Sequence, residues 1–120
     1  MLLKCIREYS GIYLALGATD LRKAVDGLTN IVRNDFKMNP FGNSLFLFCN
    51  RSRNRLKGLS WDRNGFCLFY KRLDGMGARF VWPRSPESVR SISVSQLEKL
   101  LGGMSVEPPR GFGDITARDF

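Results

Sequence analysis

Apolar positions fall into short blocks whose spacing changes along the chain, and those changes mark the elements. Residues 12–16 (IYLAL) form a β-compatible run between Gly11 and Gly17 and predict a first strand. Thr19 and Asp20 then offer side-chain oxygens to the exposed amides of a helix start. Leu21, Val25, Leu28, Ile31, Val32 and Phe36 follow at i, i+4, i+7 spacing, which predicts an amphipathic helix of about four turns ending at Asn39-Pro40. Gly27 inside that pattern is expected to allow close packing on a sheet. Residues 45–49 (LFLFC) are apolar on both faces, as a central strand covered on each side requires.

Residues 55–62 and 66–72 read as two strands joined around Arg63-Asn64-Gly65, a hairpin signal because Asn and Gly tolerate positive φ. Two registers fit. A two-residue Asn64-Gly65 turn pairs Trp61 with Leu68, Leu59 with Tyr70 and Lys57 with Arg72. A three-residue turn pairs Trp61 with Cys67, Leu59 with Phe69 and Lys57 with Lys71. Either register sets two cations face to face at the far end, which is unfavourable unless an anion binds there. Residues 74–78 (DGMGA) predict a turn, 79–82 a short strand stopped by Pro83, and 84–91, with Pro86, an exposed linker. Ser93-Val94-Ser95-Gln96 has the form of a capping box and opens a short helix with Val94, Leu97, Leu100 and Leu101 inward, closed by Gly102-Gly103. The order predicts an α+β domain over residues 1–104: an antiparallel meander sheet of about five strands packed on one main helix, with a short C-terminal helix. Residues 105–120, with prolines, glycines and little periodicity, predict a flexible tail.

Composition narrows the chemistry. No apolar run approaches the roughly 18 residues of a membrane span. The start, MLLKCIREYSG, lacks the apolar region and cleavage site of a signal peptide, so a cytoplasmic protein is expected. Cys5, Cys49 and Cys67 are odd in number and widely spaced, which fits neither a disulfide framework nor a zinc site. The chain has no histidine, which removes Ser-His-Asp and Cys-His nucleophiles and the usual general base near neutral pH. We therefore expect a protein that binds, with no catalytic residue, metal, cofactor or small-molecule substrate. Charge says what it binds: residues 51–90 hold ten Lys/Arg against three Asp/Glu, a net +7 of the chain's +8. A basic excess so localised points to a polyanion.

Several motifs then line up in order and spacing. They are Thr19-Asp20-Leu21-Arg22-Lys23 with Asp26-Gly27-Leu28, Pro40-Phe41, Leu45-Phe46, Asn50-Arg51, Arg55-Leu56-Lys57 and Trp61-Asp62. Gly65-Phe66, Tyr70-Lys71-Arg72-Leu73, Phe80 with Trp82-Pro83, Gln96-Leu97 and Leu100-Leu101-Gly102 complete the set. Over residues 11–104 the chain resembles the TnpB-type accessory protein of the insertion-sequence sixty-six class of bacterial transposons. It departs where Asp74 stands at a position usually glutamate and where residues 75–78 lengthen the turn. The resemblance implies a small protein encoded beside a separate, larger transposase and needed for efficient movement of the element, with no catalytic residues assigned. It is distinct from the much larger RNA-guided nucleases that share the TnpB name. The transposase and other proteins of the same element are the partners it implies.

Arg51, Arg53, Arg55, Lys57, Lys71, Arg72 and Arg79 are the candidate phosphate contacts, which would position DNA without reading its sequence. Tyr70 and Trp82, beside cations, are the aromatics expected to be exposed for base stacking, while most of Trp61, Phe66, Phe69 and Phe80 are assigned to the core. Arg22 and Lys23 sit unfavourably at a helix start, where the dipole repels cations, and are candidate contacts to nucleic acid or transposase. Asp20, Asp26, Asp62 and Asp74 could be gathered into a metal site. Simpler roles account for three of them: Asp20 as helix cap, Asp62 as turn residue and Asp26 as helix partner of Arg22 or Lys23. The function expected is a non-enzymatic, nucleoid-associated accessory factor of transposition whose basic hairpin engages DNA during assembly of the transposase complex. The alternative is a protein-protein interaction module with little DNA contact.

Overall fold

The computed structural model of the protein describes residues 6–107. Five strands, β1 (Gly11–Ala15), β2 (Ser44–Cys49), β3 (Arg55–Asp62), β4 (Gly65–Arg72) and β5 (Val89–Ile92), form one sheet in the order β4-β3-β2-β1-β5. β1 and β2 run parallel and the other neighbours antiparallel, so the α+β sheet is mixed and is not the antiparallel meander expected. The cause is the helix between β1 and β2. A helical crossover returns the chain to the end of the sheet from which it left, and the next strand then runs parallel to the first.

That helix, α1 (Val25–Asn30), continues into a wider turn at Ile31–Asp35, where Phe36 N–H donates to Ile31 C=O at 3.1 Å, five residues back. It stops at Lys37, whose φ of 57° turns the backbone left-handed while Met38 N–H closes onto Val32 C=O at 3.0 Å. The helix begins four residues later than its apolar spacing predicts. Asp20 does not cap it: its carboxylate takes the Arg22 N–H at 3.0 Å and the Arg22 guanidinium at 2.8 Å, which folds residues 20–23 into a separate turn. Gly27 also differs from expectation, since a side chain there would meet Lys23 Cβ at 2.9 Å and not the sheet.

The sheet buries both faces. Leu28, Val32 and Phe36 form one core cluster with Ala15, Phe46, Phe48 and Leu59. On the other face Ile12, Leu14, Leu45, Leu47, Cys49 and Leu56 cluster with Phe80, Trp82, Leu97 and Leu100. Residues 45–49 are all buried, as a middle strand with two covered faces demands. α2 (Val94–Leu101) has the expected capping box: Gln96 N–H donates to Ser93 Oγ at 3.1 Å and Ser93 N–H to Gln96 Oε1 at 2.8 Å.

Three local expectations are corrected. Residues 79–82 are not a strand: Phe80 N–H donates to Arg53 C=O at 2.6 Å and the segment drops both aromatics into the core. Residues 84–91 are not simply a linker, because β5 begins at Val89 and pairs with β1 once the chain has passed Pro83 and Pro86. The hairpin adopts neither register offered. Trp61 pairs with Phe66, Leu59 with Leu68, Lys57 with Tyr70 and Arg55 with Arg72, around a two-residue Arg63-Asn64 turn. Gly58 decides it, being buried opposite Phe69, whose ring fills the space a β-carbon would need (2.9 Å). Past α2, Val106 joins the core, and residues 108–120 of the expected tail lie outside the described part. Among the described residues no helix is long and apolar enough to cross a membrane.

Candidate nucleic-acid interface

Side chains alternate across a strand, so the hairpin register distributes the cations between two faces. Leu59 and Phe66 belong to the α1-side cluster, and with them on that face come Arg55, Lys57 and Trp61 of β3 and Leu68, Tyr70 and Arg72 of β4. Arg55 directly opposes Arg72 and Lys57 opposes Tyr70. Arg55, Lys57 and Tyr70 line a groove of about 430 Å³ with Arg22, Asp20, Leu21 and Asn50. Tyr70 is 56% exposed there. Lys57 Nζ donates to Lys23 C=O at 3.0 Å, which ties the hairpin to the turn before α1.

Two cations of this face already hold carboxylates. Arg22 is bonded to Asp20, and its guanidinium holds the Asp20 carboxyl down at about 2. Arg72 Nε bonds Asp74 Oδ1 at 2.9 Å. Both pairs are exposed, so they exchange readily with a competing anion. Lys23 is exposed beside them, and its carbonyl is its structural contribution.

The remaining candidates lie elsewhere. Lys71 points to the other face, where Nζ donates to Leu101 C=O at 2.9 Å and caps the end of α2. Arg51 and Arg53 belong to the β2–β3 loop and line a second cleft, of about 530 Å³, with Trp82 and Arg84. Arg79 is exposed and lines neither cleft. Trp82 is corrected outright as an exposed aromatic: it is 5% exposed, and its indole N–H donates to Ala15 C=O at 2.8 Å.

Two residues were not singled out by pattern reading. Arg84 falls in a stretch whose pattern predicts a linker, although it belongs to the basic excess of residues 51–90. Phe41, 45% exposed, stands edge-on to Trp61 (5.0 Å between centroids) with the Arg33 guanidinium 5.6 Å from its ring centre. The Pro40-Phe41 motif was its one sequence signal. The carboxylates do not converge: among the described residues no group of three His, Cys, Asp or Glu side chains is placed to hold a metal ion.

The protein is a two-sided mixed sheet with open, cation-lined grooves. The chain belongs to the TnpB_IS66 family, the IS66 Orf2 like proteins, whose family model matches residues 10–111. That family is one of accessory proteins, and membership implies an accessory role in transposition of the insertion sequence. The chain is 39% identical to uncharacterized protein y4hO of Sinorhizobium fredii (strain NBRC 101917 / NGR234) over 82% of its own length and 84% of that protein's. It is 25% identical to uncharacterized protein y4jC of the same strain over 78% of each chain. No solved structure matches it.

Proposed function

We propose that the protein is a non-enzymatic accessory factor that binds DNA at the nucleoid, in the cytoplasm, while the transposase complex assembles. The α1-side face of the hairpin is the binding surface. The observation that carries this reading is the Arg55–Arg72 cross-strand pair. Like charges placed opposite each other destabilise a hairpin by some tenths of a kcal/mol, and a phosphate lying between them reverses the sign. Lys57 and Tyr70 continue the surface, the lysine for phosphates and the tyrosine for a base face. Such contacts position the protein on a polyanion without base readout.

Titration of the purified protein against element-end DNA at several salt concentrations tests this. The expected result is binding whose log K falls steeply with log salt, with a slope shallower by about one in Arg55→Ala. Binding absent at low salt, or indifferent to salt, would sink the reading.

One observation favours a second reading, a module that binds the transposase or another protein of the element. A cleft of about 660 Å³ beside the edge strand β5 has Leu16, Val81, Trp82, Pro83, Val89 and Val106 among its walls. Exposed strand edges with apolar pockets accept extended peptide. Pull-down with the element's proteins, together with transposition that survives alanine at Arg51, Arg53 and Arg55 but not disruption of α2, would favour it.

A further inference from the structure

The loop between β2 and β3 is built with more care than a connection needs. Asn50 Oδ1 accepts from Asn54 N–H and Arg55 N–H, each at 3.0 Å, and Asn50 Nδ2 donates to Asn54 Oδ1 at 2.8 Å. Asn50 C=O takes the Arg53 N–H at 3.1 Å. This lattice fixes Arg53 at φ 60°, a left-handed conformation that glycine or asparagine adopts at far lower cost. The strained residue is an arginine whose Nε is buried and has no hydrogen-bond partner. A buried cationic N–H lacking an acceptor is costly, and the strain adds to that cost, so packing gives no reason for arginine here.

Its surroundings are cationic. Arg51, Arg53 and Arg84 line one cleft with Ser85 and Trp82, and no carboxylate is among its walls. The nearby acid, Glu87, is engaged by the Ser85 hydroxyl. None of the three arginines forms an ion pair among the described residues. Three arginines on one cleft without a carboxylate match the oxygens of a phosphate better than any neutral ligand. Asn50 lines both this cleft and the groove of Arg55, Lys57 and Tyr70, so the two are adjacent.

We propose that Arg51, Arg53 and Arg84 form a phosphate seat at the end of the hairpin groove, holding one phosphate group of the bound nucleic acid. The seat rests on the DNA-binding reading and fixes where the strand leaves the hairpin. The phosphate is either an internal diester or a strand terminus, and the same arginines serve both.

Anisotropy titrations of the full chain with 5′-hydroxyl and 5′-phosphorylated oligonucleotides of one sequence, across salt, test it. Arg53→Gly removes the guanidinium while keeping the left-handed backbone, so folding is retained. Arg53→Gly and Arg84→Ala are each expected to weaken binding by about 5- to 10-fold and to reduce the salt slope by about one. An equal loss with both oligonucleotides identifies an internal phosphate, and a loss confined to the phosphorylated one identifies a terminus. If Arg55→Ala weakens binding while Arg53→Gly and Arg84→Ala do not, the seat is overturned and the DNA reading stands. If the wild-type protein binds no DNA, that reading fails, and inorganic phosphate judges the seat alone. A melting temperature raised by phosphate over chloride at equal ionic strength, and lost in Arg53→Gly, supports an anion seat. No such rise overturns it, as does an Arg53→Gly defect confined to capture of the transposase, which would assign the arginines to a protein carboxylate.

Discussion

Arg63 carries the hairpin turn in a conformation that suits it poorly. Its φ is 56°, and Asn64 N–H folds back onto Asp62 C=O at 2.5 Å, a three-residue turn of the strained kind. Left-handed backbone costs a non-glycine residue roughly 1–2 kcal/mol, part of which glycine returns through its freer unfolded chain. Arg63→Gly should therefore stabilise by about 0.5–1 kcal/mol, read as a higher urea midpoint with an unchanged m-value. Cys49 gives a second residue-scale test. Burial pushes its thiol from 9.0 up to about 12, so the folded protein keeps the proton after an unfolded chain would lose it. Its contribution is complete below about pH 9 and declines as pH rises towards 12, because in that interval only the unfolded state releases the proton. Alkylation at pH 8.5 followed by peptide mass spectrometry should leave Cys49 unmodified in the native protein and modified in urea. Residue chemistry was largely legible in the sequence: the absent histidine, the basic excess and the Ser93–Gln96 cap all read directly. Exposure was not. Trp82 sits among cations in sequence but is folded under by a segment whose path depends on the Phe80–Arg53 backbone bond.

At the scale of elements, what was legible was whatever depends on local spacing. The two helices, the central strand and the hairpin were all visible in periodicity. What escaped depends on partners distant in sequence. β5 has only Val89 and Ile92 as apolar positions among serines and an arginine, and it is a strand because β1 offers an edge. The parallel pairing was implicit in a strand-helix-strand order, but the abundance of later strands favoured a meander. The hairpin register failed because Asn64-Gly65 is a strong turn signal and Gly58 a quiet one, while side-chain packing against the core outweighs turn preference. Register also separates candidates that adjoin in sequence. Lys71 and Arg72 point to opposite faces, and Lys71 closes α2 through Leu101 C=O. Lys71→Ala should cost about 0.5–1 kcal/mol of stability in a denaturant melt, the value of one helix-end contact, and leave the salt slope of DNA binding unchanged. A slope reduced as far as in Arg55→Ala would return Lys71 to the DNA surface.

For the whole molecule, the question is whether a net charge of +8 or its placement governs binding. Net charge alone gives any basic protein some attraction for DNA, and such a field is diffuse and screened within about 10 Å at 0.1 M salt. Placement makes a stricter demand, since each phosphate neutralised at close range releases counterions and adds to the salt slope. The Arg55–Arg72 pair, Lys57, and the seat of Arg51, Arg53 and Arg84 each take one phosphate, so about three phosphates are expected to be contacted. Three contacts give a slope near −2.7 and an affinity loss of roughly 40-fold between 50 and 200 mM salt, whereas two contacts give roughly 12-fold. Arg55→Ala should move the protein from the first figure to the second. Lys99→Ala removes the same unit of charge from exposed α2, on the opposite face of the sheet, and is the matched control. With the hairpin face as the site, Lys99→Ala keeps the wild-type slope. If both variants lower it equally, the net charge accounts for binding and the Arg55–Arg72 surface has no special part in it.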